Sequence, residues 1–455
     1  MHLQCRNNPP LALLYQSPSG AWLESPGYQG AGNTPINMTV LILKNAGVVD
    51  LVKDPVYGQR LMAVSTYCAN LLTPPDPRFG GKRMPMALGD NVPFFNNMYT
   101  YLAHRGQEAF PVQAGNAIWC WEQMGRPSAG ALLLMNEHVL DGRLQPVAIT
   151  GTSAAFPGFG VMLRHGFGTS NETFLTYRQS DFAYGHYDED QGSFSLFAKG
   201  VPLCLDWIDY SPNEAEFHNR VNYHPGGLPW LTTPPDAFVT HAEADYIRSH
   251  EAGLPPGSRD QSMPRDARAD WQRQIVFVKD TQDPAAATYL VFRDVVRADR
   301  PSEWNVWTLA KKGSEKIEGR VVRIEGQYGV DVVLAFYRKP PAPLTSTFLH
   351  HRTRSYIQLD QDQTRIQASA EQGGDYGVVL FPLRHGVEAT PTVKELESGV
   401  VEILWKSGRR HLVFLFPEAR RVTQDGVAFQ GRSGLLKFEK GKMTVVPLEC
   451  DRLAP

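Results

Sequence analysis

The 455-residue chain is short of several features that would classify it at once. No apolar run approaches the roughly 18 residues that a membrane-spanning helix needs. The longest stretches, such as residues 130–135 and 147–149, fall far below that. Neither sign of charge is in excess: Lys and Arg number 45 against 47 Asp and Glu, for a net charge of -2. That removes the global basic field expected of a nucleic-acid binder, and no acidic tail is present. Cysteine is scarce, with Cys5, Cys68, Cys120, Cys204 and Cys450 widely spread and never spaced Cys-x-x-Cys. This excludes a disulfide framework and a thiolate zinc knuckle, and it leaves the redox compartment open. Residues 1–10 (MHLQCRNNPP) hold one Arg and no apolar segment, so they do not read as a secretory signal. No tandem repeat is visible. Strands and helices do not alternate, which argues against a doubly wound parallel sheet.

What is present is glycine, proline and aromatic residues. The 40 Gly and 34 Pro make up about one residue in six, against a background near 12%. Nine Trp and 17 Tyr accompany them. This mix predicts a loop-rich, strand-rich protein with an aromatic cleft, and the length suggests about three domains at roughly 150 residues each.

Helical periodicity occupies the first third, over 33–51, 59–72, 96–105 and 116–124. From about residue 147 the period changes to short β-branched and aromatic runs bounded by Gly, Asn or Pro. Runs at 159–163, 173–177, 192–198, 201–206, 274–279, 287–296, 304–310 and 320–324 predict antiparallel strands. Others at 331–337, 355–359, 376–382, 392–396, 399–405, 411–416 and 435–437 continue the series. So many short strands imply β-sandwich architecture. The expected plan is α+β and multidomain: helices over 1–145, a central antiparallel sandwich over 146–340, and a smaller sandwich over 341–455. Pro340, Pro341 and Pro343 mark the last boundary. A Pro-, Asp- and Arg-rich stretch at 250–270 reads as an excursion at the rim.

Polar chemistry is densest over 183–223. His186 opens a run with Asp188, Glu189 and Asp190; two strands follow, then Asp206, and His218 with Asn219 twelve residues on. A hairpin would return Asp206 towards Asp188. Two carboxylates and an imidazole suit a borderline divalent ion such as zinc, with water as a fourth ligand. The same residues suit a solvated turn equally well.

The run GHYDEDQGSFSLFAKGVPLCLDW, with the later HNRV, resembles the sandwich motif of the heparinase II/III-like family of polysaccharide lyases. That motif has a Gly-His-x-His/Asp, an Asp/Gln-x-x-Ser-Phe strand, a Gly-x-Pro-Leu turn, an Asp, and then a His-Asn. The resemblance reaches back to 160–164 (GVMLR) and 20–28 (GAWLESPGY), and forward to the strand at 289–295. It covers roughly residues 18–350. It implies a partial (α/α) toroid packed on antiparallel sandwiches, and β-elimination on a uronic-acid polysaccharide. Such chemistry needs a group that neutralises the carboxylate, a base for the adjacent proton, and an acid for the leaving oxygen.

By resemblance, Tyr28 is the catalytic acid or acid/base, and His186 is its partner base near neutral pH. Asp188, Asp206 and His218 match metal positions, with zinc the first choice and a structural role. Asp188 stands where many members have His, so a hard oxygen ligand replaces nitrogen. Glu24 and Arg164 are expected at the substrate, although Arg164 equally suits a structural salt bridge. Trp207, with Tyr184, Tyr210 and Trp230, would stack on sugar faces or pack in a core. Arg78, Lys82 and Arg83 would touch polyanion or simply be solvated. The expected partner is an anionic polysaccharide, with no nucleic acid and no membrane span, in the periplasm or secreted. One departure stands out. In the family the neutralising Asn or His lies on a helix upstream of the tyrosine, whereas few residues precede Tyr28 here, and Asn7 and Asn8 among them sit in a Pro-rich context rather than on a recognisable helix. The expectation is that the start is late and much of the toroid lies upstream. A non-catalytic carbohydrate-binding scaffold and a metal-dependent hydrolase are the competing readings.

Overall fold

The computed structural model describes residues 15–89, 98–127, 144–181, 186, 188–206, 215–223, 233–251, 270–281, 288–353 and 358–454. Four α-helices among these come first: α1 (Tyr28–Asn45), α2 (Tyr57–Leu71), α3 (Met98–Gly106) and α4 (Pro111–Gln123). Helix α4 opens on Pro111, whose missing N–H is no loss at a first position. Helix α1 begins earlier than the Thr34-Pro35 signal predicted and runs straight through Pro35. Tertiary contacts override the proline. The Trp22 ring packs so tightly on Gly32 that a Cβ there would lie 2.2 Å from the indole. Gln29 Nε2 also donates to the Gly20 carbonyl at 2.9 Å. This places Tyr28 on the first turn of a helix.

Three antiparallel sheets follow. The first runs in chain order through β1 (Ala154–Phe156), β2 (Gly160–His165), β3 (Thr173–Arg178), β4 (Phe194–Ala198) and β5 (Val201–Cys204). The second comprises β6 (Val221–Asn222), β7 (Ala237–Thr240), β8 (Ala244–Glu251), β9 (Asp270–Val278), β10 (Tyr289–Arg297), β11 (Ser302–Glu318), β12 (Val321–Gly326), β13 (Val330–Phe336), β14 (Thr345–Thr353), β15 (Leu359–Ala370) and β16 (Gly374–Arg384). Its order is β14-β15-β11-β12-β13-β16-β10-β9-β8-β7, with β6 paired to β11. The third holds β17 (Thr392–Glu397), β18 (Val400–Leu404), β19 (Arg410–Gln424), β20 (Val427–Glu439) and β21 (Lys442–Ala454) in sequence.

Side-chain alternation stacks these elements into four layers. On the first sheet, Met162, Phe174 and Phe197 face the helices. Their neighbours Val161, Leu163, Leu175 and Leu196 face the second sheet. On the second sheet, Phe277, Phe292 and Leu334 meet the first, whereas Val276, Val291 and Val333 meet the third. The middle strands are buried on both faces, which is why the apolar runs at 275–278 and 332–336 show no polar alternation. The boundary expected at 340/341 therefore falls inside one sheet: β13 and β14 flank it, and β16 returns to pair with both β13 and β10. The passage to the third sheet lies between Arg384 and Thr392.

One ion pair sits inside the double-faced sheet. Arg273 on β9 and Asp294 on β10 are direct cross-strand partners, joined at 2.7 Å with both side chains 0% exposed. The indole N–H groups of Trp271 and Trp304 each donate to Asp294 at 2.9 Å. Arg273 also donates to the carbonyls of Gly192 at 2.7 Å and Asn219 at 3.0 Å. Removing one partner strands a charge in the interior, so Arg273→Met is expected to cost about 3–5 kcal/mol of stability in urea unfolding. A loss below about 1 kcal/mol would show that the pair is not a structural centre.

Candidate functional site

The sharpest feature is where the helices meet the first sheet's loops. Gly20 backs onto α2 so closely that a Cβ would lie 2.4 Å from the Ala63 carbonyl oxygen, and its φ of +93° suits only glycine. That approach presents the Gly20 carbonyl to Gln29, whose Oε1 accepts the Cys68 thiol at 3.3 Å. Tyr28, one residue earlier, is half-buried. Its ring stacks on the imidazole of His186, with centroids 3.6 Å apart and 13° between the planes. His186 adopts φ +57°, in the left-handed region. The two residues matched to an acid–base pair thus come from a helix start and a distant loop to touch face to face.

Asp188, Asp206 and His218 are all buried. His218 Nδ1 bonds Asp206 Oδ1 at 2.8 Å, and Ser193 Oγ donates to Asp206 Oδ2 at 3.3 Å. Burial alone would depress the His218 pKa. The negative charge and hydrogen bond of Asp206, helped by Asp188 and Asp190, instead raise it to about 9. Burial pushes the Asp190 carboxyl up to about 6, against the pull of Arg178 and His218. Among the described residues no three His, Cys, Asp or Glu side chains converge to hold a metal ion. The Nδ1 of His218 is committed to Asp206, and the imidazole favours its protonated form. The zinc expected at Asp188, Asp206 and His218 is thus not supported by a gathered ligand set among the described residues. The direct bond between His218 and Asp206 pins the end of β5 to the turn before β6.

Arg164 is not at a substrate surface. It is 3% exposed, its guanidinium pairs with Glu172, and it donates to the carbonyls of Asn70 at 2.9 Å and Leu72 at 2.8 Å. It caps the end of α2 from β2, and Arg83 joins it on Glu172 at 2.7 Å. These are helix–sheet clamps, because a buried carboxylate flanked by two guanidinium groups has no free face to offer a sugar acid. Arg78 is likewise committed, to Asp76 at 2.7 Å and to Gln361 on β15 at 2.7 Å. Glu24 is buried and accepts from Trp22 Nε1 at 3.2 Å, so it braces the indole that seats α1. Trp207, Tyr184, Tyr210 and Trp230 lie outside the described residues.

Several residues around the site tie its sheets together. Asn219 accepts from Trp307 N at 2.6 Å and donates to the Phe194 carbonyl at 2.8 Å, joining β4 to β11. Its place directly after His218 was the available hint. Arg220 stands in the same HNRV run with no role assigned to it, and Trp271 had no hint.

No family model matches the chain, and no curated protein matches its sequence. Solved structures do match its fold. The heparan sulfate lyase HepC from Pedobacter heparinus aligns with a TM-score of 0.61 at 14% identity, over 96% of this chain and 60% of that one. A heparinase III aligns with 0.62 at 11%, over 97% and 62%. A further heparinase III gives 0.62 at 11%, over 96% and 60%. At such identity the likeness establishes the fold: mixed α+β with antiparallel sheets, shared with heparinase-type lyases. The chain spans about three fifths of the length of these proteins.

The His218 shift has a definite sign. Its folded pKa of about 9 lies above the ordinary histidine value of 6.5. The stability it contributes is complete below about pH 6.5 and is lost as pH rises through about 9. Urea midpoints should therefore fall between pH 6.5 and 9.5 in the parent protein and fall less in His218→Gln. Equal slopes would remove the buried imidazolium.

Proposed function

We propose that the protein is a lyase that cleaves a uronic-acid-containing polysaccharide by β-elimination, with Tyr28 and His186 as its acid–base pair. The Tyr28–His186 stack at 3.6 Å carries this reading, and a fold shared with heparinase-type lyases supports it. The helices α1–α4 belong, on this reading, to the C-terminal part of an (α/α) toroid. A polymeric substrate places the enzyme in the periplasm or outside the cell. No helix among the described residues is long and apolar enough to cross a membrane.

The His186 imidazole takes the proton α to the uronate carboxylate. The electron pair forms the carbon–carbon double bond as the glycosidic oxygen leaves from the β carbon, and the Tyr28 phenol protonates that oxygen. No water is consumed. Two parallel rings do not hydrogen-bond each other in their planes, so the stack itself occupies neither polar edge. The imidazolium formed in the first half-step rests against the Tyr28 ring, where cation–π attraction favours it. Neutralisation of the carboxylate is assigned to none of the described residues.

A second reading has its own observation. Two rings packed face to face are also what a carbohydrate-binding scaffold without turnover would keep. Purified protein given heparan sulfate, chondroitin sulfate, alginate or pectate separates the two. Lyase action produces ultraviolet absorbance from unsaturated uronate ends, and Tyr28→Phe and His186→Gln should each lower the rate by about 10²-fold or more. No absorbance with any polymer, together with glycan binding that survives Tyr28→Phe, would establish the scaffold.

A further inference from the structure

We propose that Arg220 is a positioning residue for His186, holding the loop that presents the imidazole to Tyr28 from a platform made by Trp271. This rests on the acid–base reading of that pair and adds to it the means by which the pair is assembled.

A left-handed histidine persists only where its surroundings hold it, and His186 has φ +57°. Downstream of it, Arg220 Nη1 donates to the Glu189 carbonyl at 2.7 Å. Arg220 Nε donates to the Val221 carbonyl at 3.0 Å, which fixes the guanidinium against its own strand. The Glu189 carboxylate accepts from Ala215 N at 3.1 Å, tying the same residue to the short 3₁₀ turn Ala215–Phe217. Glu189 is therefore gripped through both backbone and side chain.

Trp271 supports this grip. The Arg220 guanidinium lies over its ring, 5.1 Å from the centroid, and so does that of Arg273, at 5.1 Å. Arg273 holds the Gly192 carbonyl as Arg220 holds that of Glu189. Gly192 rests on the indole itself, since a Cβ there would lie 2.4 Å from the ring, and its φ of +76° again suits only glycine. One indole thus carries two guanidinium groups and a glycine, and all three fix the same short segment.

The two arginines differ in what they serve. Arg273 is neutralised by Asp294 and belongs to the sheet. Arg220 is 0% exposed, and the bonds named above run to carbonyls, with the charges of Glu251 and Glu189 offsetting its own. Packing alone would be met by an aliphatic side chain. A planar donor that bonds two carbonyls while lying over an indole is what an arginine supplies and a lysine does not.

The test uses the full chain with ¹³C-labelled histidine. His186→Gln assigns the His186 resonance, and Tyr28→Leu measures how far the Tyr28 ring displaces it. Arg220→Met is expected to lose at least about half of that displacement, because the freed Glu189 carbonyl lets the loop relax. Arg220→Lys, which retains a donor but not the planar group over the indole, should recover part of it. A folded Arg220→Met with the full parental displacement overturns the proposal. If Arg220→Met fails to fold, Arg220→Lys decides alone: partial loss supports the proposal and full displacement overturns it. Failure of both to fold also overturns it, making Arg220 a general structural residue. This readout needs no substrate, so it decides the role of Arg220 even in a parent protein without lyase activity. Where turnover is seen, kcat should fall about tenfold or more with KM within about twofold, as expected when a reacting group is misplaced rather than substrate binding lost.

Discussion

The Arg273–Asp294 pair is the contact on which the other parts of the molecule converge. A buried ion pair is tolerated only when every donor and lone pair is met, and meeting them drew in the rest. Asp294 takes two tryptophan N–H groups besides the guanidinium. Arg273 directs a further donor to two carbonyls from outside its sheet, those of Gly192 and Asn219. Those carbonyls belong to the loop after His186 and to the His218-Asn219 turn. The centre of the second sheet thereby sets where the first sheet's loops stand, and one of those loops faces Tyr28.

Layering explains why charge appears so often inside this protein. Four stacked layers leave the middle sheet dry on both faces, so any polar group there must find a partner within reach. The same constraint acts at the helix–sheet seam, where Glu172 gathers Arg83 and Arg164. Arginines that look like ligands for an acidic polymer are instead the fasteners between layers. What remains for chemistry is the half-buried stack at the seam, where a helix start and a strand-connecting loop meet.

Much of the plan was legible in the chain. All four described helices coincide with predicted ones, and the apolar strands from β9 to β13 follow their runs. Strands β14 and β15 were mostly missed, since TSTFLHHRT and LDQDQTRIQASA are too polar to show a buried face. β21 was missed as well, its apolar residues being broken by Pro447. The helix start at Tyr28 was hidden by Pro35, a proline that the Trp22–Gly32 contact overrules. At the site, motif resemblance named Tyr28 and His186, and they are in contact. It also named Arg164 as a sugar ligand and His218 as a metal ligand. In the structure both are buried, Arg164 against Glu172 and His218 against Asp206.

By itself the sequence determined the order and kind of most elements, because periodicity and turn residues are local properties of the chain. It also carried the identity of the two rings at the site, through letters and spacing. Only the tertiary structure decided that those rings stack, that Asp206 bonds His218 directly, and that Arg220 and Trp271 stand beneath the loop. Those outcomes depend on which distant groups a buried charge can reach. That is settled by the stacking of layers, and no local pattern records it.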